Sequence, residues 1–188
     1  LVIAQTLARY ADVSVPALRP EAFAGLDFSR LARLSVTACG TAFYAGLVGR
    51  YLVERLARLP VDIEVASEFR YREPPLPADT LALVISQSGE TADTLAGLRH
   101  ARACGLGSAG IVNVDTSTMA REVDAILPTL AGPEIGVAST KAFTCQLVTL
   151  AALAIRAGRD RGTLSRADEA ARVSQLSELP RLVGEALM

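Results

Sequence analysis

At 188 residues, 51% hydrophobic and 21% charged, the chain has the size and balance of one globular domain with a substantial core. Trp is absent and aromatics make up only 5%, so that core must be aliphatic. A formal net charge of −1 leaves no basic footprint for nucleic acid or an anionic membrane, so any bound anion must be held by local donors.

In chain order, residues 1–33 read as a helical lead-in. Leu1, Ile3, Leu7 and Ala8 form an amphipathic pattern, turn signals follow at Pro16 and Pro20, and a second helix is expected over Glu21 to Arg33. Strand-like and helix-like segments then alternate, the pattern of an α/β domain with a parallel sheet and crossover helices. The first strand is expected over Leu34 to Ala38, ending at Cys39-Gly40-Thr41. A helix from Ala42 to Leu59, with apolar faces at Leu47, Val48, Tyr51, Leu52 and Leu56, should stop at Pro60. Val61 to Ala66 is the second strand, and Glu73 to Pro77 a Pro-rich loop. Thr80 to Ile85 is the third strand, leading through Ser86-Gln87-Ser88-Gly89-Glu90-Thr91 into a helix that reaches Cys104. A fourth strand spans Ser108 to Val114, a short helix Thr118 to Glu122, and a fifth strand Ala125 to Leu130. Gly132 to Ser139 reads as a loop, followed by helices over Thr140 to Ala157 and Leu164 to Leu179, the latter interrupted by Pro180. The organisation is thus a lead-in (1–33), a core domain (34–160) and a trailing helix (161–188).

The turn Ser86 to Thr91 carries the most chemistry. It lies where an apolar strand ends and a helix begins, and the first N–H groups of a helix lack internal partners and carry the positive end of its dipole. Three hydroxyls, from Ser86, Ser88 and Thr91, and the amide of Gln87 converge there, with Gly89 allowing close approach or positive φ. These are enough neutral donors for the oxygens of one phosphate. The competing reading is plain N-capping by Ser86 or Ser88. Cys39-Gly40-Thr41 is a second strand-to-helix turn, read alone as a buried cysteine, a turn glycine and a capping threonine. If the sheet is doubly wound in the order 2-1-3-4-5, however, both turns meet at the switch point where such sheets bind ligands. Gly136 to Lys141 is a third such turn; Ser139 suits either a cap or a ligand contact, and Lys141 reads as a solvated charge.

Other features are discounted. Gly105 to Gly110 matches G-x-G-x-x-G but precedes a strand, whereas the dinucleotide fingerprint follows one. His100 reads as solvated, and a lone histidine cannot anchor a multi-histidine metal site. Cys39, Cys104 and Cys145 form no CxxC pair, which argues against a disulfide scaffold or zinc site and for a reducing, cytoplasmic setting. Arg70 and Arg72 are expected in surface or interface ion pairs. No apolar run reaches the roughly 18 residues of a membrane span, and the start at Leu1 suggests an excised piece of a longer chain.

The stretches Ala38-Cys39-Gly40-Thr41, Ala66 to Arg72, Ser86 to Arg99 and Glu134 to Thr144 together resemble the first sugar isomerase (SIS) domain of the glutamine–fructose-6-phosphate aminotransferases. The resemblance covers roughly residues 30 to 160. It implies a three-layer α/β/α sandwich around a five-stranded parallel sheet of order 2-1-3-4-5. It also implies phosphate contacts from Ser86, Gln87, Ser88 and Thr91, and sugar contacts from Thr41, Val137 and Ser139 with Cys39 nearby. One departure is Ala42, where the family often has Ser. The implied partners are a hexose 6-phosphate, the remaining domains of the enzyme and a second copy in a homodimer, with no metal or other cofactor. In that family a glutaminase domain precedes this region, and a second SIS domain and tail follow with the general-base glutamate, Schiff-base lysine and ring-opening histidine. The expectation is therefore a binding platform for fructose 6-phosphate or glucosamine 6-phosphate in amino-sugar synthesis, inactive alone; of this chain's own carboxylates, Glu134 is the nearest guess for a base. Alternatives are another phosphosugar isomerase or deglycase, or a non-catalytic sugar-phosphate sensor, although neither a helix-turn-helix segment nor a basic patch is visible.

Overall fold

The computed structural model describes residues 2–134 and 139–187. Helix α1 (Val2–Tyr10) leads into a short antiparallel pair, β1 (Ala11–Asp12) and β2 (Ala17–Leu18), and a 3-10 turn over Pro20–Phe23. There follow β3 (Arg33–Ala38), α2 (Gly40–Ala57), β4 (Val61–Val65), α3 (Ala66–Arg72), β5 (Thr80–Ser86), α4 (Ala92–Ala103), β6 (Gly107–Val112), α5 (Thr118–Glu122) and β7 (Ala125–Pro128). Three helices complete the chain: α6 (Lys141–Asp160), α7 (Arg166–Ser177) and α8 (Leu179–Ala186).

The five strands β3 to β7 form one parallel sheet in the order β4-β3-β5-β6-β7, the expected 2-1-3-4-5 arrangement. Every residue of β5 is buried, so its period-two alternation is hidden in a continuous apolar run, as in a strand covered on both faces. Leu81, Leu83 and Ile85 enter the large core shared with α1, α2 and α6, while Ala82 and Val84 belong to smaller clusters that include Ala101, Leu95 and Leu98 of α4. The result is the three-layer sandwich, with α1, α2 and α6 on one side and α3, α4 and α5 on the other.

Several local expectations are corrected. Residues 21 to 33 do not form a helix. The 3-10 turn ends at Phe23, Gly25 takes φ +81°, and Asp27 Oδ1 accepts the Ser29 N–H at 2.8 Å, a local bond that competes with helix. Phe23, Leu26 and Phe28 are buried all the same. The segment Ala66–Arg72 forms a further helix, and Arg70 and Arg72 make the expected surface ion pairs, Arg70 with Asp93 at 2.9 Å and Arg72 Nε with Glu64 at 2.9 Å.

The core face of α2 is also not the one read from its large apolar residues. Leu52 and Leu56 pack partly on the core, but Val48 and Tyr51 are exposed. The face that meets the sheet and α6 is made of Ala42, Ala45, Gly46, Gly49 and Val53. A Cβ on Gly46 would lie 2.5 Å from Ile63 Cδ1, and one on Gly49 would lie 2.8 Å from Leu150 Cδ2. The close approach of α2 to its neighbours demands small residues, and that outweighs hydrophobicity in choosing the buried face.

The segments flanking the sheet pack onto it. Tyr10 is buried, and its hydroxyl donates to the Pro128 carbonyl at 2.7 Å. Arg161 donates to the carbonyls of Ala57, Phe28 and Leu31 at 2.8, 3.2 and 2.7 Å. Glu169 of α7 accepts the Leu18 N–H at 2.8 Å and pairs with Arg159 at 2.9 Å. A capping box between Ser165 and Asp168 starts α7. Helix α7 ends at Ser177, close to the expected Leu179, and Pro180 divides it from the next helix as expected, sitting in the first turn of α8 where its missing N–H costs nothing.

Candidate functional site

The sheet topology places two turns side by side. Strands β3 and β5 are adjacent, with Ala38 opposite Ile85 at their carboxyl ends. The chain leaves β3 into α2 on one face and leaves β5 toward α4 on the other, so the two connections diverge and open a crevice between them. A cleft of about 480 Å³ occupies this position. It is lined by Cys39, Gly40, Thr41 and Ala42 from the first turn, by Ile85, Ser86, Gln87, Ser88 and Thr91 from the second, and by Glu134, Ser139 and Gln146.

Of the eight expected contact residues, seven (Cys39, Thr41, Ser86, Gln87, Ser88, Thr91 and Ser139) line this one cleft, and Val137 lies outside the described residues. The two turns meet because the sheet has the order 2-1-3-4-5, which makes the first and third strands neighbours.

The turn from Ser86 to Thr91 is built to hold its shape. Ser86 Oγ accepts the Gly89 N–H at 3.0 Å and shares a hydrogen bond with Thr91 Oγ1 at 3.1 Å. Ser88 Oγ accepts the Glu90 N–H at 3.2 Å. Neither serine caps α4. The cap position is Thr91, whose side chain makes no capping bond to the first turn of the helix. The opening N–H groups of α4 are thus left without intrahelical acceptors or a side-chain cap, the condition under which a helix start receives an anion.

Helix α5 braces the turn from behind. The Met119 N–H donates to Gly89 O at 3.1 Å, and the Thr118 N–H donates to Glu90 Oε1 at 2.7 Å. These bonds from Thr118, the backbone one first, hold the Glu90 carboxyl below its usual range. Gly89 adopts φ +68°, and a Cβ there would lie 2.0 Å from Ser117 Oγ, so the turn needs glycine for both conformation and space.

The cleft floor holds polar atoms without protein partners. Ser139 Oγ and Gln146 Oε1 are both buried and have no hydrogen-bond partner among the described residues. Such orphans are uncommon in a settled interior and call for a local explanation. Gln146 was not foreseen as a site residue. The available signal was a long amide side chain in the buried stripe of α6 that runs through Ala142, Thr149 and Leu153. Glu134, the nearest guess for a base, also lines the cleft, but its Oε2 accepts the Ala142 N–H at 3.2 Å at the start of α6.

The discounted features lie elsewhere. His100 Nε2 lies 3.1 Å from the Pro74 carbonyl, and its ring meets Phe69 edge-on, a structural placement rather than the solvated one expected. The glycines around Gly107 open β6 rather than a helix. Among the described residues no three His, Cys, Asp or Glu are grouped to hold a metal ion, and no helix is long and apolar enough to cross a membrane.

A family model for the SIS domain matches residues 28–156. The glutamine–fructose-6-phosphate aminotransferase [isomerizing] of Brucella abortus biovar 1 (strain 9-941) is 59% identical over 186 residues, covering 99% of this chain and 30% of that protein. The protein of the same name from Bradyrhizobium diazoefficiens is 58% identical over 187 residues, covering all of this chain and 31% of its own length. The chain thus spans about a third of the length of these curated relatives. Among solved structures, the C-terminal domain of glucosamine-fructose-6-phosphate aminotransferase from Francisella tularensis superposes with a TM-score of 0.90 at 36% identity, covering 99% of this chain and 52% of that one. Glucosamine-6-phosphate deaminase from Thermotoga maritima, at 20% identity and a TM-score of 0.65 over 92% of this chain and 52% of its own, shares the fold. With the sheet order, the paired turns and a family match across more than half its residues, this chain belongs to the SIS domain family.

Proposed function

We propose that this chain binds the phosphate of a hexose 6-phosphate, fructose 6-phosphate or glucosamine 6-phosphate, as the first SIS domain of a glutamine-dependent aminotransferase and isomerase that makes glucosamine 6-phosphate. The observation that carries the reading is the uncapped start of α4 beside the hydroxyls of Ser86, Ser88 and Thr91 and the Gln87 amide, all on one cleft. Its donors are neutral, so they orient an oxyanion by hydrogen bonds rather than by net charge. The Cys39–Thr41 turn and Ser139 face the same space and suit the sugar. Val137 belongs to the proposed sugar contacts by sequence.

A phosphate held this way contributes binding energy remote from the reacting carbons and so positions them for groups supplied elsewhere. In this reading the general base, the amine-bearing lysine and the ring-opening histidine come from the rest of the enzyme, which works as a cytoplasmic homodimer. This chain's share is to bind, orient and exclude water.

The test is calorimetric titration with fructose 6-phosphate, glucose 6-phosphate and unphosphorylated fructose. Both phosphorylated sugars are expected to bind weakly, and binding is expected to disappear in the Ser86→Ala/Ser88→Ala variant. Equal affinity for free fructose would overturn the phosphate assignment.

A further inference from the structure

We infer that Gln146 is a specificity-determining residue of this cleft, whose side-chain carbonyl accepts a hydrogen bond from a hydroxyl of the bound sugar. The inference rests on the phosphate reading above and adds to it the recognition of the part of the ligand that is not phosphate.

Gln146 is only 1% exposed, and its neighbours along α6, Ala142 and Thr149, are buried with it. An interior position of this kind ordinarily takes an aliphatic residue or a fully bonded polar one. Here the amide lines the cleft, yet Oε1 has no partner among the described residues. Burying a carbonyl unbonded costs stability and returns nothing within the unligated protein. A ligand that fills the cleft and donates to that oxygen removes the penalty.

The chemistry of the atom limits the ligand group. A carbonyl oxygen only accepts, so it does not pair with a phosphate oxygen, whereas a sugar hydroxyl is a suitable donor. The cleft therefore has divided labour: donors at the Ser86–Thr91 turn for the oxyanion, and an acceptor at Gln146 for the polyol. A site built to bond a hydroxyl discriminates strongly against ligands without one, because the acceptor stays unpaired.

The experiment compares the whole chain with its Gln146→Met variant, which keeps the length of the side chain and removes the acceptor. Calorimetry uses fructose 6-phosphate, glucose 6-phosphate and inorganic phosphate as probes, with thermal unfolding measured in parallel. The variant is expected to melt at or above the wild-type temperature and to bind inorganic phosphate within about twofold of wild type. Hexose 6-phosphate affinity should fall by about five- to tenfold, the ordinary effect of losing one hydrogen bond. Gln146→Leu repeats the comparison with a different apolar shape. Unchanged hexose phosphate affinity overturns the inference, as does a parallel loss for inorganic phosphate. A lower melting temperature in both variants would mean that the amide is a structural strut, which also overturns it. A wild-type chain that binds none of the phosphorylated probes would instead refute the phosphate reading on which this one stands.

Discussion

Gly89 is the position where conformation, packing and binding are most tightly joined, and replacing it with alanine gives a quantitative test. At φ +68° an alanine carries the left-handed penalty, about 1–2 kcal/mol. Its Cβ would also lie 2.0 Å from Ser117 Oγ and 2.5 Å from Ser117 Cβ, so Ser117 must move. That hydroxyl accepts the Ala120 N–H at 3.3 Å as the cap of α5, and losing such a cap costs about 0.5–2 kcal/mol. Gly89→Ala should therefore destabilise the chain by about 1.5–4 kcal/mol, read as a lower urea midpoint with an unchanged slope. The companion change Ser117→Gly removes the obstructing atoms at a cost of only a few tenths, because glycine is a tolerable cap. In the double variant the steric part should vanish, leaving about 1–2 kcal/mol of backbone strain and a favourable coupling of roughly 0.5–2 kcal/mol in a double-mutant cycle. Additive losses, or a Gly89→Ala midpoint within error of wild type, would refute the claim that α5 braces the turn by direct contact.

Three further outcomes are expected. Ala42 is buried on the cleft beside Thr41, and Ala42→Ser should tighten hexose 6-phosphate binding by a few fold in calorimetry without raising affinity for unphosphorylated fructose. Burial pushes the Tyr10 phenol up, and its hydroxyl bonds the Pro128 carbonyl; Tyr10→Phe should cost about 1–2 kcal/mol by urea unfolding while leaving sugar-phosphate affinity unchanged. Hydrogen bonds from the Ser165 hydroxyl and N–H hold Asp168 below its ordinary carboxylate range. A depressed carboxylate contributes stability that is present above its unfolded value and lost as pH falls through its folded value. Asp168→Asn should accordingly lower the melting temperature at neutral pH and flatten its decline on acidification, as followed by thermal scans across pH.

Much of the architecture was legible from residue order because local rules and the layer pattern agreed. The alternation of apolar runs with helical segments located all five strands of the main sheet to within two residues at either end, and the α5 boundaries coincided with the reading. The errors fell where local signals conflicted with close packing or with short polar bonds. Glu21 to Arg33 had helical composition, but Gly25 and the Asp27 carboxylate offered the backbone other conformations. The α2 face was misread because hydrophobicity pointed to Val48 and Tyr51, whereas the distance to Ile63 and Leu150 admits only glycine-sized residues.

For the site, the residue types of Ser86 to Thr91 were determined by the sequence alone: short polar donors around a glycine at the end of an apolar strand. Whether that turn was a simple cap or half of a cleft was decided only by the strand order, because adjacency of β3 and β5 depends on pairing between segments some forty residues apart. The position of Gln146 likewise depended on how α6 lies against the sheet, since a helix stripe records which residues are alike but not what they face. Residue chemistry is local and can be read along the chain; convergence of groups is a property of packing and exists only in the folded molecule.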